Sequence, residues 1–178
     1  MIKLSRSRAG DNETGILEAE KFISQLEPGF LPMPIFSQIV RLVVTPTVEM
    51  VPFRRIQEKG LQVLLIKRDD DDPHWPGQYH VPGSVIRATD AKLSFQDAFN
   101  RIIKGEIKGI KVIKGPIFVQ HLFHQVKRGA ELPMIHWIEV SGEVSGGTYF
   151  DVDKLPENIV DHHPLIIRKA LEHFSAHV

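Results

Sequence analysis

The sequence predicts one α/β (α+β) domain in which helices pack against a mixed β-sheet. Three observations indicate this class: two early stretches of β-branched and aliphatic residues, a later pair with a hairpin pattern, and segments with helical apolar spacing between and after them. With 178 residues, 42% of them hydrophobic, the chain can bury a full core.

The first 35 residues are predicted to be a leader and extension. Residues 1 to about 13 are expected to be mobile, and residues 13–26 have the apolar spacing of an amphipathic helix. Pro28 and Gly29 end this helix, and Pro32 and Pro34 predict an extended connector. The helix is expected to pack on the domain, and a contact in a homodimer is the alternative.

The predicted domain covers residues 36–178. Strands are indicated over 39–53 and 61–67, and a hairpin over 113–126 and 133–144 around a loop at 127–131. The chain closes with a helix over 165–174. Its inward-facing residues are Ile166, Ile167, Ala170, Leu171 and Phe174.

A further helix is predicted over residues 95–107, and it carries an acid in an unfavourable place. At about 100° per residue, Glu106 projects from the middle of the apolar stripe. It also lies in the last turn, where a negative charge opposes the helix dipole. Such an acid is typical of a ligand or catalytic group, whereas a frayed helix end that lets Glu106 reach water is the alternative.

The segment over residues 78–110 resembles a Nudix box, whose pattern is G-x5-E-x7-R-E-U-x-E-E-x-G-U with U aliphatic. Residues 81–84, Val-Pro-Gly-Ser, match its beginning, with Ser84 at the glycine of the pattern. Asp90 stands at the first glutamate. Arg101 stands at the arginine after about three additional residues, and Glu106 at the last glutamate.

The resemblance implies a Nudix-type α/β/α sandwich and a MutT-like hydrolase that cleaves diphosphates linked to another group, with Mg²⁺ or Mn²⁺ as cofactor. Ile102 and Gly105 replace box glutamates, so Glu106 remains the only helix ligand, joined by the Gly83 carbonyl. Carboxylate and carbonyl oxygens suit both ions.

The helix is most similar to that of the GDP-mannose mannosyl hydrolase branch, through residues 98–102 and Glu106. That branch attacks the sugar carbon instead of phosphorus and takes its base from a histidine in a late loop. The resemblance therefore implies a nucleoside diphosphate linked to a sugar or a similar group as substrate.

His162 and His163 are the candidates for this base, and Asp90 is a further one. The pair follows Asp161 and precedes Pro164, so it marks a helix start with Asp161 as cap. The positive end of the helix dipole would lower the histidine pKa and keep a neutral base available. The choice between the two histidines is open, and a surface pair that only caps the helix is the alternative.

Four residues are candidates for substrate binding. Arg68, Arg87 and Arg101 could hold phosphates by forked hydrogen bonds. His121 and His124 have odd spacing on a strand, which sends them to opposite faces, so they cannot jointly bind one ion. Of these two histidines, His124 is assigned to the substrate site.

Composition limits the partners. Lys plus Arg equal Asp plus Glu at 22 each, which argues against bulk electrostatic binding of nucleic acid or an anionic membrane. Without cysteine there is no disulfide, thiolate metal site or thiol nucleophile. No apolar stretch indicates a secretory signal or a membrane span, so a cytoplasmic protein is expected. The expected partner is a small-molecule nucleoside diphosphate derivative.

Two function classes follow from these residues. The first is a metal-dependent Nudix-type hydrolase, favoured by Glu106 on an apolar face. The second is a catalytically inactive Nudix-fold module that binds a nucleotide or a protein, favoured by the lost box glutamates.

Overall fold

The computed structural model describes residues 13–29, 31–57, 60–90 and 94–177; residues 1–12 of the predicted leader lie outside it. Its helices are α1 (Glu13–Ile23), α2 (Met33–Leu42), α3 (Gln96–Glu106) and α4 (His163–His177), and a 3₁₀ turn spans Ala88–Asp90. Its strands are β1 (Thr45–Ile56), β2 (Gly60–Lys67), β3 (Tyr79–His80), β4 (Gly83–Val85), β5 (Lys111–His121), β6 (His124–Val126), β7 (Gly129–Ser141) and β8 (Gly147–Asp151).

The strands form one mixed sheet with β1 near its centre. The order is β3-β2-β1-β7-β5, with β4 on β1, β6 on β7 and β8 on β2. β1 and β7 are parallel, and the other pairs are antiparallel. The predicted hairpin is confirmed by β5 and β6 against β7, although its turn is shorter than expected and Glu131 lies within β7.

Two helices cover opposite faces of this sheet. Val51 and Phe53 of β1 pack with the α4 residues Ile166 and Phe174. The alternate β1 residues Val48 and Met50 share a core with α3 residues of the other face, among them Ile102. This arrangement confirms the predicted α/β/α sandwich with a mixed sheet.

The periodic segments of the sequence became α3 and α4. α3 buries Ala98, Phe99 and Ile102, as its apolar spacing predicts. α4 is longer than its prediction at both ends and buries Ile166, Ile167, Ala170 and Phe174. Each large apolar side chain removed from water contributes about 1.5–3 kcal/mol, so these two faces hold the layers together.

The predicted extended connector and the predicted start of the first strand at residue 39 are wrong, because α2 occupies residues 33–42. Pro34 lies in the first turn of α2, where a missing N–H costs no helical hydrogen bond. Phe36 and Val40 are four residues apart and share a face, and β1 begins only at Thr45. The division after residue 35 stays a prediction, and residue 35 lies inside α2.

α1 spans Glu13–Ile23 and buries none of its residues. Ile16 and Leu17 are 62% and 59% exposed, so the expected packing of this helix on the domain is not what the structure shows. A homodimer contact through this apolar face stays a prediction, and sedimentation equilibrium would test it.

Candidate active site

A cavity of about 870 Å³ opens between α2, β1, the loop before α3 and the start of α4. One wall is apolar and comes from α2 and the residues after it. The other wall carries charged and polar side chains. The apolar wall includes Met33, Phe36, Ile39, Val40 and Val43; the polar wall includes Glu49, Arg68, Arg87, Glu106, Arg128, Glu131, His162 and His163.

Two carboxylates meet at Gly83 on the polar wall. The Gly83 N–H donates to Glu106 Oε2 at 3.1 Å. Glu49 is paired with Gly83 across β1 and β4, and a Cβ built on Gly83 would lie 2.3 Å from Glu49 Oε2. Only glycine leaves room for this carboxylate, so the Pro-Gly turn of the motif brings Glu49 and Glu106 to the same point.

Burial makes both of these carboxylates costly to ionise. Glu49 is 7% exposed, and burial raises its pKa to about 8, with repulsion from Glu131 and Glu106 adding to the effect. Burial also raises the pKa of Glu106 to about 7. A divalent cation between these oxygens would offset the repulsion, and oxygen ligands are those that Mg²⁺ and Mn²⁺ prefer. The residues at Gly83 therefore fit such an ion.

Asp90 and Arg101 form an ion pair that joins the loop to α3. Arg101 donates to Asp90 Oδ2 at 2.5 Å, to Ser84 Oγ at 2.6 Å and to the Val85 carbonyl at 3.1 Å. Hydrogen bonding to Arg101 holds the pKa of Asp90 below its usual value. Neither residue belongs to the lining of this cavity. The geometry gives both residues a framework role, and catalysis by Asp90 and phosphate binding by Arg101 stay predictions.

The two late histidines have different environments. His163 is 3% exposed, and its Nδ1 accepts the Val81 N–H at 3.0 Å, so this nitrogen is unprotonated. The surface-pair alternative is therefore wrong for His163. His162 Nδ1 lies 2.9 Å from Asp161 Oδ1, which also accepts the His162 backbone N–H. Burial lowers the pKa of both rings, which favours neutral imidazoles.

His124 lies beside His162, with ring centres 5.0 Å apart, but is not among the residues that line the cavity, and its assignment to the substrate site stays a prediction. β6 and β7 pair His124 with Glu131, whereas His121 is paired with Met134. Because Glu131 and Met134 are three residues apart on β7, the two histidines point to opposite faces, and this prediction is confirmed. Ligand atoms of His124, Glu131 and His162 all lie within 4.8 Å of one another.

Arg68 and Arg87 both line the cavity, as phosphate binding would require. Arg68 donates to Asp72 Oδ2 at 2.8 Å, and its guanidinium lies 5.2 Å from the centre of the Trp75 ring. Asp72 also accepts the backbone N–H of Trp75 at 2.8 Å. Arg68 is thus held in one orientation at the end of β2 by a fixed carboxylate and a buried ring.

Sequence reasoning missed three residues of this wall. Glu49 lies inside an apolar run, and a charge within a run that predicts a buried strand is a signal that could have identified it. Glu131 falls in the predicted loop at 127–131, where acids are common. Arg128, which pairs with Glu131, gave no signal beyond its charge.

Comparison with known proteins shows the fold. No protein-family model matches the sequence, and no curated protein matches it. Among solved structures, the NUDIX domain of Shewanella oneidensis NrtR, complexed with ADP ribose, is 17% identical with a TM-score of 0.56, covering 87% of this chain and 97% of that one.

Two further structures agree. A MutT protein from Methanosarcina mazei is 14% identical with a TM-score of 0.54, over 74% of this chain and 95% of that one. An Ap4A hydrolase from C. elegans is 14% identical with a TM-score of 0.52, over 75% of this chain and 99% of that one. None of the helices in the described residues has the length and hydropathy that a membrane span needs.

The similarity to these three solved structures shows that the chain has the Nudix fold.

Proposed function

We propose that the protein is a Nudix-type hydrolase that uses Mg²⁺ or Mn²⁺ and acts on a nucleoside diphosphate linked to a sugar or a similar group. The observation that carries the proposal is the convergence of Glu49 and Glu106 on Gly83 in a cavity. Two buried carboxylates with raised pKa values are costly unless a cation or a proton compensates them.

The two walls of the cavity suit the two parts of such a substrate. The apolar side chains of α2 would contact a base, and Arg68 and Arg87 would bind diphosphate oxygens. A volume of about 870 Å³ lies in the range of small-molecule sites. The NUDIX domain of NrtR, with the same fold, was solved with ADP ribose, and the C. elegans protein is an Ap4A hydrolase.

The side chains divide the chemical work in this proposal. Glu49 and Glu106 hold the ion, which when bound neutralises the diphosphate and orients it. Arg68 and Arg87 bind phosphate oxygens and stabilise the leaving group. His162 takes a proton from water. Asp161 holds the Nδ1 atom of His162, and burial lowers the pKa of the His162 ring, so this imidazole is available as a neutral base. His163 positions the Gly83 loop through Val81.

The first experiment is Mn²⁺ binding by electron paramagnetic resonance, with and without a nucleoside diphosphate. Wild type and the exposed control Glu172→Gln should bind Mn²⁺, and Glu49→Gln and Glu106→Gln should lose most of the affinity. Equal binding by all four proteins would refute the carboxylate site. A screen of nucleotide sugars then follows in Mg²⁺.

The bond that breaks distinguishes the two branches of the resemblance. Hydrolysis in ¹⁸O water would place the label in the sugar if the sugar carbon is attacked, as in the GDP-mannose mannosyl hydrolase branch. Label in the phosphate product would mean attack at phosphorus and would refute that finer assignment.

A catalytically inactive binding module is the second candidate. It is favoured by α3, on which Ile102 is buried and Gly105 has no side chain, so this helix presents Glu106 without the other box acids. In this case calorimetry would detect binding of a nucleotide or a protein, with no turnover and no Mn²⁺ requirement.

A further inference from the structure

We infer that His124, Glu131 and His162 form a binding site for a first-row transition-metal ion of the Zn²⁺ type, separate from the carboxylate pair at Gly83. The site does not depend on whether the chain is a hydrolase. It rests on the position, orientation and hydrogen bonding of three side chains at the β6–β7 edge and the start of α4.

The backbone brings the three ligands together. His124 and Glu131 are directly opposite each other in the antiparallel β6·β7 pair, where Cβ atoms are about 4.5–5.5 Å apart. His162 precedes α4, and its ring centre lies 5.0 Å from that of His124 with the rings inclined by 77°. Edge-on rings of this kind can direct nitrogens toward a common point.

The separations are close to those of a metal centre. The three ligand atoms are no more than 4.8 Å apart, so an ion placed at their centre would lie about 2.8 Å or less from each of them. Zn²⁺ binds histidine nitrogen and carboxylate oxygen at about 2.0–2.2 Å. Each atom has to move by less than about 1 Å, which rotation of side chains can supply.

Hydrogen bonds prepare the two histidines. Asp161 Oδ1 lies 2.9 Å from His162 Nδ1, and a proton on Nδ1 leaves the lone pair of Nε2 available. This carboxylate–histidine arrangement is the one that commonly orients metal-binding imidazoles. The Nε2 atom of His124 is buried and has no hydrogen-bond partner among the described residues. A buried nitrogen without a partner is costly, and a metal ion at this point would satisfy it.

Glu131 supplies the negative ligand. Its side chain is 3% exposed and is held by the Arg128 guanidinium, which itself lies 5.5 Å from the Trp75 ring centre. A carboxylate has two oxygens, so pairing with Arg128 fixes its plane and leaves acceptor capacity for an ion.

The ligand set selects the ion. Two imidazoles with one carboxylate suit Zn²⁺, Co²⁺ and Cu²⁺, whereas Mg²⁺ prefers oxygen ligands and keeps several waters. Glu131 and His162 line the same cavity as Glu106, so a second ion would lie beside the proposed diphosphate site. While coordinated, His162 could not act as a free base, and water would then be activated by the charge of the ion.

Co²⁺ titration followed by visible absorption tests the site. His173 and His177 stack at 4.0 Å on α4 and could bind metal at the surface, so all proteins carry His177→Ala. We expect one Co²⁺ with strong d–d bands, unchanged by His121→Ala on the opposite sheet face. His124→Ala and His162→Ala should each weaken binding at least 100-fold with unchanged circular dichroism.

Two more variants make the result specific. Asp161→Asn should weaken Co²⁺ binding about 10-fold through orientation of His162, and Glu106→Gln should leave it unchanged while Mn²⁺ binding is lost. Cu²⁺ electron paramagnetic resonance should show coupling to two nitrogens, and to one in His124→Ala. The inference would be overturned if His124→Ala and His162→Ala bound Co²⁺ with the same affinity as the protein that carries His177→Ala alone. Loss of Co²⁺ binding in Glu106→Gln would also overturn it.

Discussion

Replacement of Glu49 by glutamine should stabilise the protein without metal and remove its proposed Mg²⁺ or Mn²⁺ site. Glutamine keeps the size of the side chain and removes the ionisation that burial opposes. The pKa of Glu49 is raised from 4.5 to about 8 by burial, so the folded protein binds this proton more tightly than the unfolded chain does. The stability that Glu49 contributes is therefore complete below pH 4.5 and is lost as the pH rises to about 8.

The size of the effect follows from the difference between the pKa of Glu49 in the unfolded chain, 4.5, and in the folded protein, about 8. Each pH unit between the two pKa values changes the free energy of unfolding by about 1.4 kcal/mol. We expect Glu49→Gln to be more stable than wild type by about 4 kcal/mol at pH 8, and by less than about 1 kcal/mol at pH 5. For a chain of this length, 4 kcal/mol corresponds to a rise in Tm of about 10 °C.

The assay is urea unfolding in EDTA at pH 5 and pH 8, repeated with excess Mn²⁺. Glu172→Gln is the control, because its carboxylate is exposed on α4 and pairs with Lys169. With Mn²⁺ present, wild type should recover stability and Glu49→Gln should not. A stability difference that does not change between pH 5 and pH 8 would refute the reasoning, as would a destabilised variant at pH 8.

Three further predictions concern the carboxylates at Gly83 and the ion pair that anchors the loop after it. Asp90→Asn should destabilise the fold by about 2 kcal/mol, since Arg101 loses a buried charged partner, and urea unfolding measures this. Gly83→Ala should cost about 1–3 kcal/mol and abolish Mn²⁺ binding, because the new Cβ meets Glu49 Oε2; normal binding would contradict the contact. In wild type without metal, stability should fall from pH 4.5 to pH 8 as Glu49 and Glu106 ionise, and Mn²⁺ binding near pH 7 should release protons to a pH indicator.

Sequence reasoning predicted the elements whose apolar residues repeat with one clear period. α3 and α4 and the β5–β7 hairpin follow from such patterns. α2 was missed because Pro32 and Pro34 indicate an extended chain, whereas a proline in the first turn is compatible with a helix. Whether this segment forms a helix depends on the packing of α2 against β7, which no local sequence pattern can indicate.

Sequence reasoning predicted the part of the candidate site whose residues belong to one continuous sequence motif. Glu106 and Gly83 were identified from one motif, and the structure places them in contact. Glu49 and Glu131 reach the cavity through parallel pairing of β1 with β7, across more than 80 residues of chain. His124 and His162 lie 38 positions apart in the sequence and become neighbours only when α4 docks on the sheet.

α2 also determines how a ligand would leave the cavity. Gly129 at the start of β7 lets the α2 backbone approach closely, since a Cβ there would lie 2.2 Å from the Val40 carbonyl oxygen. One wall of the cavity is therefore supplied by a helix that precedes the whole sheet. A ligand between this helix and the arginine side would have to separate from both surfaces, so substitutions in α2 should act mainly on its dissociation rate.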